Sequence, residues 1–213
     1  PSMADTYTSE SIVVLDYGSQ YTRLITRRLR ELNVYSVILP ASSNLDTILA
    51  QHPKGFVFSG GPASVYDEGA PQLPMGLLEQ NLPILAICYG MQLLARALGG
   101  DVKASPVREY GKALLTDYHG ELFDHVEGEF VAWMSHGDSV AHVPDGFNVL
   151  ASTADTPVAA MADEQKSWYG LQFHPEVQHT PKGRDLLRHF VAKTGIATTW
   201  TPEHIVSELT QDV

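Results

Sequence analysis

One cysteine, Cys88, is all that this chain of 213 residues contains. A single thiol excludes an internal disulfide, and with it the small disulfide-stapled scaffolds; it fits a reducing compartment, and a cytoplasmic location is expected. Basic residues are also scarce. Lys and Arg number 14 against 25 Asp and Glu, a formal charge of −11, which argues against nucleic acid as the main partner. No apolar run approaches the roughly 18 residues of a membrane span, so no membrane partner is expected. The opening PSMADTYTSE lacks the apolar stretch of a signal peptide. Pro1 and Ser2 ahead of Met3 read as a cloning scar, and residues 1–9 as a leader. No internal repeat or low-complexity tract interrupts the chain. What is there is ordinary for a globular protein, 44% hydrophobic and 18% charged, and long enough for one large core.

From residue 11 to 100 strand and helix signals alternate. SIVVLDYG, VYSVILP, GFVFSGGP and PILAIC read as strands; residues 19–32, 45–51, 73–80 and 91–98 read as helices. In YTRLITRRLRE, Tyr21, Leu24, Ile25, Leu29 and Leu32 form an apolar stripe, which leaves Arg23, Arg27, Arg28 and Arg30 as its solvated face. Repeated βα units imply an α/β fold, a mostly parallel central sheet with helices on both faces. Residues 101–173 read differently. GKALLTDY, FVAWMSHGD, FNVLASTA, PVAAMAD and SWYGLQFH are short strands between turn signals, a small antiparallel addition with a hairpin at ADEQKS. PKGRDLLRHFVAKTG closes the domain as a helix stopped by Gly195. A further helix starts near Thr201 and Pro202.

Ligands of such sheets bind beyond the carboxyl ends of the strands. DYGSQ, SGGP and CYG all lie there and should cluster. Cys88 falls where the strand PILAI meets the next helix, the place of a nucleophile elbow, and the helix N-terminus aimed at the sulfur favours thiolate. The residue could equally be a small buried hydrophobe. A cysteine nucleophile needs a base, and YGLQFHPEV offers His174 and Glu176 two apart at a strand end, hence on one side. A polar strand end, or a metal site of His174, Glu176 and His179, are the competing readings. The glycines of FSGGP can turn backbone N–H groups toward an oxyanion. SGGPAS also resembles the SGGxDS phosphate loop of ATP pyrophosphatases, with Ala63 where that loop has aspartate.

SGGP, CYGMQLLARALGG, MSHGD and FHPE, in that order, resemble the class I (triad) glutamine amidotransferases over residues 11–193. LDYGSQYTRLITRRLRE, REYG, WMSHGD and LQFHPEVQHT are similar to the GMP synthase branch of that class. Ala86 stands where the class usually has the first glycine of GxCxG. The resemblance implies a flavodoxin-like fold and hydrolysis of glutamine by Cys88, His174 and Glu176 to supply ammonia for amination of XMP to GMP. It implies an oxyanion hole from the N–H groups of Gly61 and Tyr89. Gln92, Ser135, His136, Gly137 and Asp138 would bind substrate. No metal or cofactor is expected in this domain. ATP and Mg are expected in a partner ATP pyrophosphatase (synthetase) domain. Residues 10–197 would be the amidotransferase domain and 198–213 the start of a linker to that absent partner. The alternatives are another cysteine hydrolase of this fold, a peptidase or γ-glutamyl hydrolase, or a non-catalytic interaction domain.

Overall fold

The computed structural model describes residues 9–202. The leader reading at 1–8 and the helix and linker readings at 203–213 lie outside the described residues. The continuously apolar segments become strands buried on both faces, as parallel packing requires. β1 (Ser11–Asp16), β2 (Ser36–Pro40), β3 (Pro53–Phe58), β4 (Ile84–Ile87) and β9 (Trp168–Leu171) are parallel; β7 (Asn148–Ala151) and β8 (Ala160–Asp163) continue the sheet antiparallel. The order is β2-β1-β3-β4-β9-β8-β7, and β5 (Asp101–Leu114) with β6 (Val131–His142) forms a separate antiparallel ribbon.

Alternation along β1 splits the core in two. Ile12 and Val14 meet Ile25 and Leu29 of α1 (Thr22–Glu31) and Leu186, Leu187 and Phe190 of α4 (Gly183–Thr194). Val13 and Leu15 share the opposite layer with Ile48 of α2 (Leu45–Leu49) and Met91 and Leu94 of α3 (Tyr89–Ala97). Helices therefore cover both faces, as the βα alternation implies. Gly195, at φ +67°, ends α4 in the left-handed region. No helix among the described residues is long and apolar enough to cross a membrane.

Several local readings change. Residues 73–80 form only a 3₁₀ turn, Leu78–Gln80. Pro74 lacks an N–H, and Gly76 sits at φ +83°, outside helical space. β5 starts ten residues before GKALLTDY, and β9 lies inside the parallel sheet rather than in an antiparallel addition. The hairpin at ADEQKS does form, joining β8 to β9. Of the arginines on α1, Arg23, Arg27 and Arg30 are exposed, but Arg28 is half-buried and its Nε donates to Glu176 O at 2.9 Å. The chain stays on the domain as far as Trp200, whose N–H donates to Asn33 O at 3.0 Å and whose ring stacks near Tyr35.

Candidate active site

The site is built at the carboxyl ends of β1, β3 and β4. Cys88 follows β4 and precedes α3 with φ +50° and ψ −110°. This conformation costs a non-glycine residue about 1–3 kcal/mol, so its surroundings must hold it. They do: Cys88 N–H donates to Leu171 O at 2.7 Å, Gly90 N–H to Ser59 O at 3.2 Å, and Gln92 N–H to Cys88 O at 3.1 Å. A side chain at Gly90 would start 2.6 Å from Phe58 Cβ, so only glycine lets the first turn of α3 press onto β3.

His174 and Glu176 do not lie on a strand, as their spacing suggested. β9 ends at Leu171, and both residues belong to the turn beyond it. The turn nevertheless points them at each other, with His174 Nδ1 3.0 Å from Glu176 Oε1. His174 is pinned by its N–H to Trp133 O at 3.1 Å and by Thr180 Oγ1, which donates to His174 O at 2.7 Å. The Tyr21 ring meets the imidazole edge-on, centroids 5.1 Å apart. Burial opposes charge on this ring, but the Glu176 carboxylate, the neighbouring Cys88 and the bond to Glu176 outweigh it and raise the pKa to about 10. Glu176 Oε2 is buried with no hydrogen-bond partner among the described residues.

Nδ1 faces Glu176, which leaves Nε2 toward the sulfur side. Gly60 fills the space between. A Cβ built there would lie 3.0 Å from His174 Cε1, 3.7 Å from Nε2 and 3.3 Å from Cys88 Cβ. This close approach explains the glycines of SGGPAS without a phosphate. The metal reading also fails: the described residues hold no metal-ligating cluster, and the His179 ring is drawn away onto Trp133, 4.5 Å between centroids.

A cleft of about 410 Å³ opens beside Cys88, lined by residues 61–64, Tyr89, Gln92, Arg108, Tyr110 and residues 135–138. Every residue expected to bind substrate is therefore brought to one wall or another. Their roles differ in detail. Gln92 Nε2 is already engaged, donating to Asp138 O at 2.9 Å and Gln172 Oε1 at 3.2 Å. The His136 side chain is buried, with Nδ1 2.8 Å from Asp138 O. Ser135 offers its carbonyl, 3.6 Å from Cys88 Sγ. No backbone carbonyl of the described residues accepts from Gly61 N–H, and Tyr89 N–H belongs to the first turn of α3, where helices leave donors free. Arg108, Tyr110 and Gln172, whose Nε2 lies 3.6 Å from the sulfur, were missed as site residues. Their signal was present in REYG and LQFHPEV, but neither string says which side chains face a ligand.

The sequence pattern of the family described as glutamine amidotransferase class-I matches residues 13–194. This chain belongs to that family. Its relatives with curated names include a glutamine-hydrolysing GMP synthase of Thermus thermophilus, 52% identical over 202 residues that make up 95% of this chain and 40% of that one. Another, from Geobacillus kaustophilus, is 51% identical over 93% of this chain and 39% of its own. The chain thus spans about two-fifths of the length of these curated relatives. A Thermoplasma acidophilum protein of solved structure, named provisionally as one subunit of a GMP synthase, is 33% identical with a TM-score of 0.77, over 88% of this chain and 94% of that one. The class-I amidotransferase fold expected from the motifs is the fold observed.

Proposed function

We propose that this chain is the glutamine-hydrolysing domain of a GMP synthase, supplying ammonia to a synthetase domain that aminates XMP with ATP and Mg. The observation that carries the reading is the strained Cys88 facing the buried His174–Glu176 pair across Gly60, at the mouth of a cleft of amino-acid size. The relatives' names supply GMP synthase. The lone thiol supports a cytoplasmic location. Residues 10–197 are the amidotransferase domain in this reading, and the segment from 198 leads to the synthetase domain.

In this mechanism Cys88, its proton passed to His174, attacks the carboxamide carbon of glutamine. A C–S bond forms and the carbonyl electrons move to oxygen, which accepts hydrogen bonds from the N–H groups of Gly61 and Tyr89. With its pKa near 10, His174 holds that proton at neutral pH and delivers it to the departing nitrogen. Ammonia leaves. His174 then takes a proton from water, the hydroxide opens the glutamyl thioester, and glutamate departs. Glu176 orients the ring and favours its charged form. Arg108 and Asp138 line one cleft with opposite charges, which suits the α-carboxylate and α-ammonium of a free amino acid.

Removing the Glu176 charge removes the largest influence raising the His174 pKa. Glu176→Gln should therefore move the alkaline limb of kcat/KM, expected at about 10 in the wild type, down by roughly one unit or more. A pH–rate profile checks this; an unmoved limb means that Glu176 does not set the charge on His174.

The function itself is tested by product analysis. Incubated with glutamine, the chain should yield equimolar glutamate and ammonia, but no GMP when XMP and ATP are also present. Adding a separately prepared ATP pyrophosphatase domain of a GMP synthase should restore GMP formation. GMP made by this chain alone, or γ-glutamyl peptide cleavage without glutaminase activity, would refute the assignment.

A further inference from the structure

One buried acid near the cleft, Glu109, has no part in the mechanism above. Glu109, on β5, is about nine-tenths buried and stands opposite His136 of β6 in the ribbon register. Thr153 Oγ1 donates to both of its oxygens at 3.2 Å, and Thr156 Oγ1 donates to Oε1. Thr153 Oγ1 in turn accepts Thr156 N–H at 2.9 Å. The carboxylate thus ties the segment between β7 and β8 to the ribbon. A buried carboxylate is retained against an apolar replacement at a cost in stability, so its partners show what it holds.

The decisive partner is His136. Its Nδ1 lies 2.8 Å from Asp138 O, and a carbonyl only accepts, so Nδ1 carries a hydrogen. Nε2 is thereby turned to Glu109 Oε1, 3.4 Å away and off the line of a hydrogen bond. The contact is attractive only with a proton between the two groups, on the ring or on the carboxyl. Asp138 O is held a second time, by Gln92 Nε2 at 2.9 Å. Residues 135–138 form one wall of the cleft and present a carbonyl to Cys88.

We infer that Glu109 is a positioning residue for substrate: through His136 it fixes the 135–138 wall in the shape that grips glutamine, and it takes no part in bond making. This rests on the glutaminase reading. An apolar residue of similar length should loosen the grip without touching the nucleophile. An amide should keep it: its NH2 in the place of Oε1 can donate to a neutral Nε2 and to the Thr156 hydroxyl oxygen, while its carbonyl in the place of Oε2 accepts from Thr153.

The test is steady-state glutaminase kinetics on the 213-residue chain, with labelling of Cys88 by a glutamine-like chloroketone and by iodoacetamide. Glu109→Met should raise KM about tenfold with kcat within about threefold of wild type, and Glu109→Gln should stay near wild type. Chloroketone labelling should slow in step with KM while iodoacetamide labelling is unchanged. His136→Asn keeps a donor for Asp138 O but cannot reach Glu109; it should reproduce the KM effect and carries the test should Glu109→Met not fold. A folded variant with unaltered KM overturns the inference, as does a parallel fall in kcat and iodoacetamide labelling. A wild-type chain inert to both glutamine and the chloroketone overturns the glutaminase reading as well.

Discussion

Replacing Cys88 with alanine is expected to abolish glutamine hydrolysis, a loss of about 10⁴-fold or more, while the protein unfolds at nearly the same temperature. The side chain is almost buried, 5% exposed, so the bland alternative is a packing residue. The magnitudes separate the two. Removing one sulfur from a core position costs on the order of 1 kcal/mol, whereas losing a nucleophile removes the covalent route entirely. Thermal unfolding and ammonia release, measured on the same preparation, decide between them. Appreciable turnover in the variant would end the nucleophile assignment.

The second large effect concerns two neighbouring glycines. At Gly60 an added methyl would stand between Cys88 Cβ, at 3.3 Å, and His174 Cε1, at 3.0 Å. The obstacles are side chains able to shift by tenths of an ångström, and the backbone there is not in the left-handed region. Gly60→Ala should therefore fold, yet push base and nucleophile apart. Misplacement on the order of 1 Å costs about 100-fold, so a displacement of tenths of an ångström should lower kcat/KM by roughly tenfold. At Gly61 the methyl would start 2.2 Å from the Tyr17 carbonyl oxygen. That obstacle is backbone, so Gly61→Ala should destabilise the fold by about 3 kcal/mol or more. Circular-dichroism melts and kinetics on the pair test the contrast. A Gly60→Ala variant as active as wild type would show that the gap between Cys88 and His174 tolerates a side chain.

The parallel half of the sheet was legible because strands buried on both faces must be continuously apolar, and SIVVL, GFVF and PILAI are. The ribbon was not. In β5 only Val102 and Glu109 are buried, so no alternation marks it. Pro106 falls inside the register shift between Ala104 and Glu109, where a strand can accept proline. The pairing of His174 with Glu176 was inferred correctly in outcome and wrongly in cause, since a turn rather than a strand aligns them. Gln92 was expected against substrate from its place one turn after Cys88. The sequence could not show that Asp138 O and Gln172 would occupy its amide first. Contacts of this kind join segments far apart in the chain, and local pattern carries no record of them.

The place of β9 in the sheet bears on how activity arises during synthesis. Ile84 of β4 pairs with Trp168 of β9, and every strand on the nucleophile's side of that pairing leaves the ribosome first. A nascent chain can thus carry Cys88 long before its base is translated. Long-range parallel pairing is slow to form, and the Leu171 carbonyl that receives Cys88 N–H comes only with β9. A partly folded domain therefore has a sulfur without a base and an elbow without its anchor. Ammonia release during refolding would report insertion of that strand, and a chain caught halfway would consume no glutamine.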